Sequence, residues 1–165
     1  MLSSTRHNYF FGLLVTLLLL VLSFYLQMHG MVPCALCLFQ RVILGLLGVI
    51  FFVGMLVKFK RMGHILAAVS TLIIASLGML LAGRQTWLQH YPSQQAGECA
   101  ASLQYMLQVL PLNEVIQKVL QGSTECTEVA WSFIGLSLAE WSLICFVAFF
   151  LFGVYQLFRA LLRRD

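Results

Sequence analysis

Four apolar runs, each cut off by a polar break, dominate the pattern of this chain. They cover about 9–27, 40–57, 65–82 and 141–158. Each is close to the roughly 20 residues (range about 17–25) that cross a bilayer core. A lone segment in lipid has to satisfy its own backbone hydrogen bonds, so each run predicts a transmembrane helix. Gly45, Gly48, Ser70, Ala75, Ser76 and Gly78 are small residues suited to close helix approach. The first run, with Arg6 ahead of it, has some features of a signal peptide. It is too long for an ordinary h-region, and Gln-Met-His-Gly follows in place of a small-residue cleavage site, so it reads as a retained helix. No internal repeat interrupts the pattern. The expected fold is an all-α membrane protein, a four-helix bundle forming one domain over 1–165.

The helices leave two breaks on one side, about 28–39 and 83–140. The second is long enough to expect a functional loop. Within it Leu112, Val115, Ile116, Val119 and Leu120 recur at helical spacing, opposite Asn113, Glu114, Gln117, Lys118 and Gln121. Pro111 suits a first turn and Gly122 a stop. This predicts a short amphipathic helix, lying in the membrane interface or packed on the mouth of the bundle.

Composition agrees with a lipid-embedded chain. Of 165 residues, 61% are hydrophobic and 10% charged, against about 25% charged in soluble domains. The net charge of +4 does not point to nucleic acid, because the basic residues cluster at the ends of the apolar runs. Arg6, Lys58, Lys60, Arg61, Arg159, Arg163 and Arg164 belong to one side. Only Arg41, Arg84 and Lys118 belong to the other. The positive-inside rule then puts both termini and the 58–64 turn in the cytoplasm and the two breaks outside. In a bacterium the outside is the periplasm, where disulfides form and persist.

Four of the five cysteines lie in those outward breaks: Cys34, Cys37, Cys99 and Cys126. Cys34-Ala-Leu-Cys37 stands where a helix should begin, and the free N–H groups of a helix start favour a thiolate, the reactive species in disulfide exchange. Arg41 follows Cys37 by four residues, on the same helix face, where its charge would compensate an anion at an apolar boundary. Zinc is a poor alternative: the second pair is split by 26 residues, and His7 and His64 fall on the opposite side. Two structural disulfides stay open as a reading. Four cysteines allow three connectivities, and local closure of 34–37 leaves 99–126 as the second bridge. Cys145, inside the fourth run, reads as a small apolar residue.

These residues carry a resemblance. Pro-Cys-Ala-Leu-Cys-Leu-Phe-Gln-Arg at 33–41, Gly-Arg-Gln-Thr-Trp-Leu-Gln-His-Tyr-Pro at 83–92, Gly-Ser-Thr-Glu-Cys at 122–126 and Trp-Ser-Phe-Ile-Gly-Leu-Ser-Leu-Ala-Glu-Trp at 131–141 resemble the DsbB family of inner-membrane thiol:quinone oxidoreductases. With the helix count they cover nearly the whole chain. The related vitamin K epoxide reductase family has its loop cysteines before the CxxC; here they follow it.

The resemblance implies an enzyme that re-oxidises a periplasmic DsbA-like thioredoxin-fold protein and passes the electrons to a quinone (ubiquinone or menaquinone). It makes Cys34, Cys37, Cys99 and Cys126 catalytic, with Cys99 taking the partner's mixed disulfide and Cys126 attacking Cys34. It puts Arg41, Arg84 and Gln85 near the quinone and implies no metal. Many relatives have histidine where Gln85 stands; an amide donates a hydrogen bond but relays no proton. The competing function class is a non-catalytic four-helix membrane subunit stapled by two disulfides.

Overall fold

The computed structural model describes residues 2–29, 34–57, 61–91, 108–109, 111, 113–115 and 132–162. Among them are four long helices: α1 (Leu2–Met28), α2 (Ala35–Leu56), α3 (Arg61–His90) and α4 (Leu138–Leu162). Each is long and apolar enough to span a membrane. They pack as chain neighbours, α1 on α2, α2 on α3 and α3 on α4, so successive helices run up and down through the bundle.

Each helix buries one stripe. On α2 it is Leu36, Gln40, Ile43, Leu47, Phe51 and Gly54; on α3 it is Thr71, Ala75, Gly78, Ala82, Gln85 and Leu88. Steps of three and four keep one helical face inward. The outer faces are just as apolar: Leu18, Leu80 and Leu151 are each more than 60% exposed. Apolar surface of this extent all round a bundle is what lipid covers.

Small residues set how closely the helices approach. A Cβ on Gly78 would lie 2.4 Å from the ring of Phe146, and one on Gly54 2.7 Å from the ring of Tyr9. Gly45, expected at a contact, faces open space. Phe146 is 1% exposed and has nowhere to retreat. Gly78→Leu should therefore push α3 and α4 apart and destabilise the bundle by about 1–3 kcal/mol or more. Gly45→Leu should be nearly neutral. Denaturation midpoints in the same detergent compare the two.

The two ends of the bundle differ. At one end Tyr9 Oη meets His64 Nδ1 at 3.1 Å, Arg6 Nε donates to the Met55 carbonyl, and Arg61 donates to the Leu161 carbonyl. At the other end a two-stranded hairpin, β1 (Ser132–Phe133) with β2 (Leu136–Ser137), leads into α4. Its turn residues Ile134 and Gly135 have φ of +56° and +77°, the positive φ that a two-residue hairpin turn needs. Ser137 then caps α4. Its N–H donates to Glu140 Oε2 at 2.6 Å, and its hydroxyl accepts from the Glu140 N–H at 3.3 Å, a reciprocal capping box. The Ser137 hydroxyl also donates to Gln89 Oε1 at 2.7 Å, and His90 lies 3.7 Å from Glu140. These contacts fasten the end of α3 to the start of α4.

Several boundaries differ from the sequence expectation, three of them at the end of the bundle that carries the cysteine pair. α2 begins at Ala35 rather than 40, with Cys34 at its N-cap. α3 runs to His90 rather than 82, so Arg84 and Gln85, expected at the outer end of the third helix, lie within it. α4 starts at Leu138 rather than 141. Hydropathy stops where side chains turn polar, whereas a helix continues while its backbone bonds and buried stripe continue. Of the expected amphipathic helix, residues 113–115 are helical, with the Glu114 and Val115 N–H groups bonded to the Pro111 carbonyl. Its remainder lies outside the described residues, as do Cys99 and Cys126.

Candidate functional site

Cys34 and Cys37 stand at the start of α2, one at the N-cap and one in the first turn. Their sulfurs are 3.1 Å apart, with the Cys34 thiol set to donate to Cys37. Cys34 is 3% exposed, in an apolar cluster with Leu36, Leu88 and Val115. The 108–115 segment thus contributes a side chain to the roof over the pair. Cys37 is half-buried.

Gln85 reaches the pair from α3. Its Nε2 lies 3.2 Å from Cys37 Sγ and 3.6 Å from Cys34 Sγ. Its Oε1 accepts from Gln40 Nε2 at 2.9 Å. Gln40 and Gln85 are both 5% exposed. Cys37 Sγ is therefore placed to accept from both the Cys34 thiol and the Gln85 amide.

Arg41 points elsewhere than its sequence spacing suggests. Its Nε donates to Ser23 Oγ at 2.7 Å, one Nη donates to the Ser23 carbonyl at 3.0 Å, and the other donates to Gln27 Oε1. The guanidinium also lies over the Phe24 ring, 5.1 Å from its centroid. The charge is thus held by α1, and the Gln85 amide touches the sulfur. A long side chain sharing a helix face with Cys37 can still swing to a neighbouring helix that offers acceptors, and α1 offers three.

Beside Cys37 a crevice of about 380 Å³ opens between α1, α2 and α4. Cys37, Gln40, Arg41, Trp141 and Ser142 line its outer end; Leu19, Leu44 and Phe146 line it deeper along their helices. Cys145 is also in the wall, so it is a crevice residue and not merely core. Arg84 and Gln85 are not among the lining residues; Gln85 meets the sulfurs from the other side. Gln40 was missed from sequence, although its place on the α2 stripe marks it as a polar residue turned inward.

The comparisons decide what kind of protein carries this site. The family model for disulfide bond formation protein DsbB matches residues 5–156. The chain belongs to the DsbB family. It is similar to disulfide bond formation protein B of Stutzerimonas stutzeri, 36% identical with 99% of each chain covered. It is similar to the protein of the same name from Acinetobacter baumannii, 40% identical over 90% of this chain and 89% of that one. Disulfide bond formation protein B 1 of Pseudomonas aeruginosa is 35% identical over 96% and 98%. This DsbB-family chain is a multi-pass membrane protein and a disulfide-forming oxidoreductase.

Proposed function

We propose that the chain re-oxidises a periplasmic DsbA-like dithiol protein and delivers the two electrons to a membrane quinone. The observation that carries this reading is the joint placement of Cys37 and Arg41 at the outer end of one apolar crevice between helices. Its volume falls in the range of small-molecule sites, about 300–1,000 Å³. Its character also fits: hydrogen-bonding groups surround the outer end beside a sulfur, and leucines and a phenylalanine continue inward, as a ring with an isoprenoid tail requires. Arg41, Gln40 and Ser142 would hold the ring, and Leu19, Leu44 and Phe146 the tail. A bound quinone supplies the electron acceptor, taking two electrons and two protons to leave as the quinol.

The chain's own sulfurs do the exchange. A thiolate of the partner attacks the Cys99–Cys126 disulfide at Cys99, forming a mixed disulfide and releasing Cys126 as a thiolate. Closure of the partner's own disulfide releases Cys99. Cys126 attacks Cys34 of the Cys34–Cys37 disulfide, freeing the Cys37 thiolate beside the crevice. Each step breaks one S–S bond and forms one, so the partner ends oxidised. Arg84, next to Gln85 on α3, would stand near the quinone as an anchor of this helix end.

Energetics support a quinone over a soluble acceptor. DsbA-type proteins stand at about −120 mV, so glutathione at about −180 to −210 mV would reduce them rather than oxidise them. The charge bias, seven basic residues against three, supports a reading with the termini in the cytoplasm and the cysteines in the periplasm of a bacterial inner membrane.

The test is oxidation of a reduced DsbA-type protein by the purified chain. It should be catalytic with added quinone, stall after at most two disulfides per chain without it, and fail when any of Cys34, Cys37, Cys99 or Cys126 is replaced. A folded wild-type chain that is inactive with every quinone offered would sink the reading.

A further inference from the structure

Two buried glutamines from different helices meet beside the cysteine pair, and their hydrogen-bond inventory has essentially one solution. Gln85 carries two N–H bonds and one carbonyl oxygen. Its Nε2 faces two sulfurs, at 3.2 and 3.6 Å, and its Oε1 faces Gln40 Nε2 at 2.9 Å. Turning the Gln85 amide over alone would set oxygen against sulfur and N–H against N–H. Turning both amides would set Oε1 against the sulfurs, which then have to supply thiol hydrogens. A disulfide has none, and a thiolate has none to give. In the disulfide both sulfurs only accept, and as a thiolate Cys37 only accepts, so the observed orientation is the one that serves them.

We propose that Gln85 is a sulfur-binding donor of the redox site and that Gln40 is its positioning residue, holding the amide with its N–H groups toward Cys37 and Cys34. Gln40 acts through Gln85, since its Nε2 donates to the Gln85 oxygen and not to sulfur. The site lies away from bulk water, under Leu36, Leu88 and Val115, where a hydrogen bond to an anion is strong and a misaligned one is costly. Among the described residues, the following titratable groups stand near Cys37. Cys34 donates to it, Arg41 is bonded to Ser23 and Gln27, and Cys145 shares the crevice wall, which holds no carboxylate. From α3, Arg84 is the neighbouring charged residue in sequence. A neutral amide pair can therefore hold the Cys37 thiolate without titrating itself, whereas an imidazole at position 85 would change charge near neutral pH.

The inference rests on reading Cys34 and Cys37 as redox-active thiols, and its test needs neither quinone nor partner, so the two can fail separately. In the full-length chain in detergent, with Cys34, Cys99 and Cys126 changed to Ser and Cys145 to Ala, Cys37 is the lone thiol. Its rate of reaction with a small methanethiosulfonate is followed against pH. Gln85→Met should move that profile upward by about one to two pH units, the scale of a hydrogen bond to a charged group. Gln40→Met should move it in the same direction by a smaller amount. The decisive comparison is the double variant: Gln40→Met should add nothing once Gln85 is Met. An equal Gln40→Met shift in both backgrounds would overturn the positioning role. An unmoved profile in Gln85→Met would overturn the donor role.

If Gln40→Met does not fold, Gln40→Glu preserves the volume. Its carboxylate draws Gln85 Nε2 away from the sulfurs, so its shift should be larger with Gln85 present than with Gln85→Met. Equal shifts would reduce Gln40→Glu to a direct charge effect and overturn the proposal. Reversal of the Gln85→Met shift by Gln85→Asn is not expected, because the shorter amide falls short of sulfur; full rescue by Asn would overturn the geometry.

Discussion

Cys37→Ser should abolish quinone-dependent turnover, a loss of at least about a thousandfold, the scale expected when a covalent participant is removed. It should leave the first exchange intact. A serine hydroxyl cannot form the Cys34–Cys37 disulfide, so Cys126 has nothing to attack and the chain supplies one disulfide per molecule and stops. Cys126→Ser should fail differently. Cys99 then has no internal partner, so the assay starts from Cys99 joined to a mixed-disulfide leaving group. With a partner whose own resolving cysteine is changed to Ser, its thiolate displaces that group and stays bound, because neither the partner nor Cys126 can then release Cys99. Non-reducing gels read this directly as a covalent complex that collapses on reduction. A chain merely stapled by two disulfides behaves otherwise: Cys37→Ser lowers its stability, no partner is trapped, and no quinone dependence exists to lose. Equal stability of wild type and Cys37→Ser with complete loss of turnover separates the two cleanly. Retained turnover in Cys37→Ser would remove the crevice from the mechanism, since Cys37 is the sulfur of the cysteine pair in its wall.

The reach of the sequence is clearest at three residues. The bundle itself was legible because the membrane requirement is local: a run of apolar residues has to be a helix, whatever surrounds it. Gln85 was legible as a candidate only through resemblance, and hydropathy left it just past the end of the third apolar run. The stripe Thr71, Ala75, Gly78, Ala82, Gln85, Leu88 continues past the apolar run, so helical periodicity, not hydropathy, was the signal that would have placed it. Gln40 had the same kind of signal, on the stripe Leu36, Gln40, Ile43, Leu47. What no sequence rule could give was that the two amides meet, since they are 45 residues apart. Arg41 is the opposite case. Its spacing from Cys37 was read correctly, yet the guanidinium follows Ser23 and Gln27 on α1, a choice set by packing between helices. Cys145 looked like core because a single helix cannot reveal that three helices leave a crevice along it.

Arg41→Met should raise the quinone KM about tenfold to a hundredfold with a smaller change in kcat. Three hydrogen bonds and a cation–π contact join this side chain to α1, at Ser23, Phe24 and Gln27. The guanidinium therefore does two things at once: it ties α1 to α2 at the outer end of the crevice, and it lines that end with fixed N–H donors. Methionine keeps the length and the apolar contact but loses both. The expected factor corresponds to about 1.4–2.8 kcal/mol of binding, in the range of one or two charge-assisted hydrogen bonds. Arg41→Lys keeps the charge but not the planar fork, so it should restore only part of the loss. Ser23→Ala, which leaves the Ser23 carbonyl and Gln27 in place, should cost about threefold or less. Initial rates at varied quinone concentration, with the dithiol partner saturating, separate KM from kcat. If Arg41→Met instead lowers kcat with KM unmoved, the guanidinium acts on the sulfur chemistry, and the anchoring of Arg41 on α1 would not describe its working position.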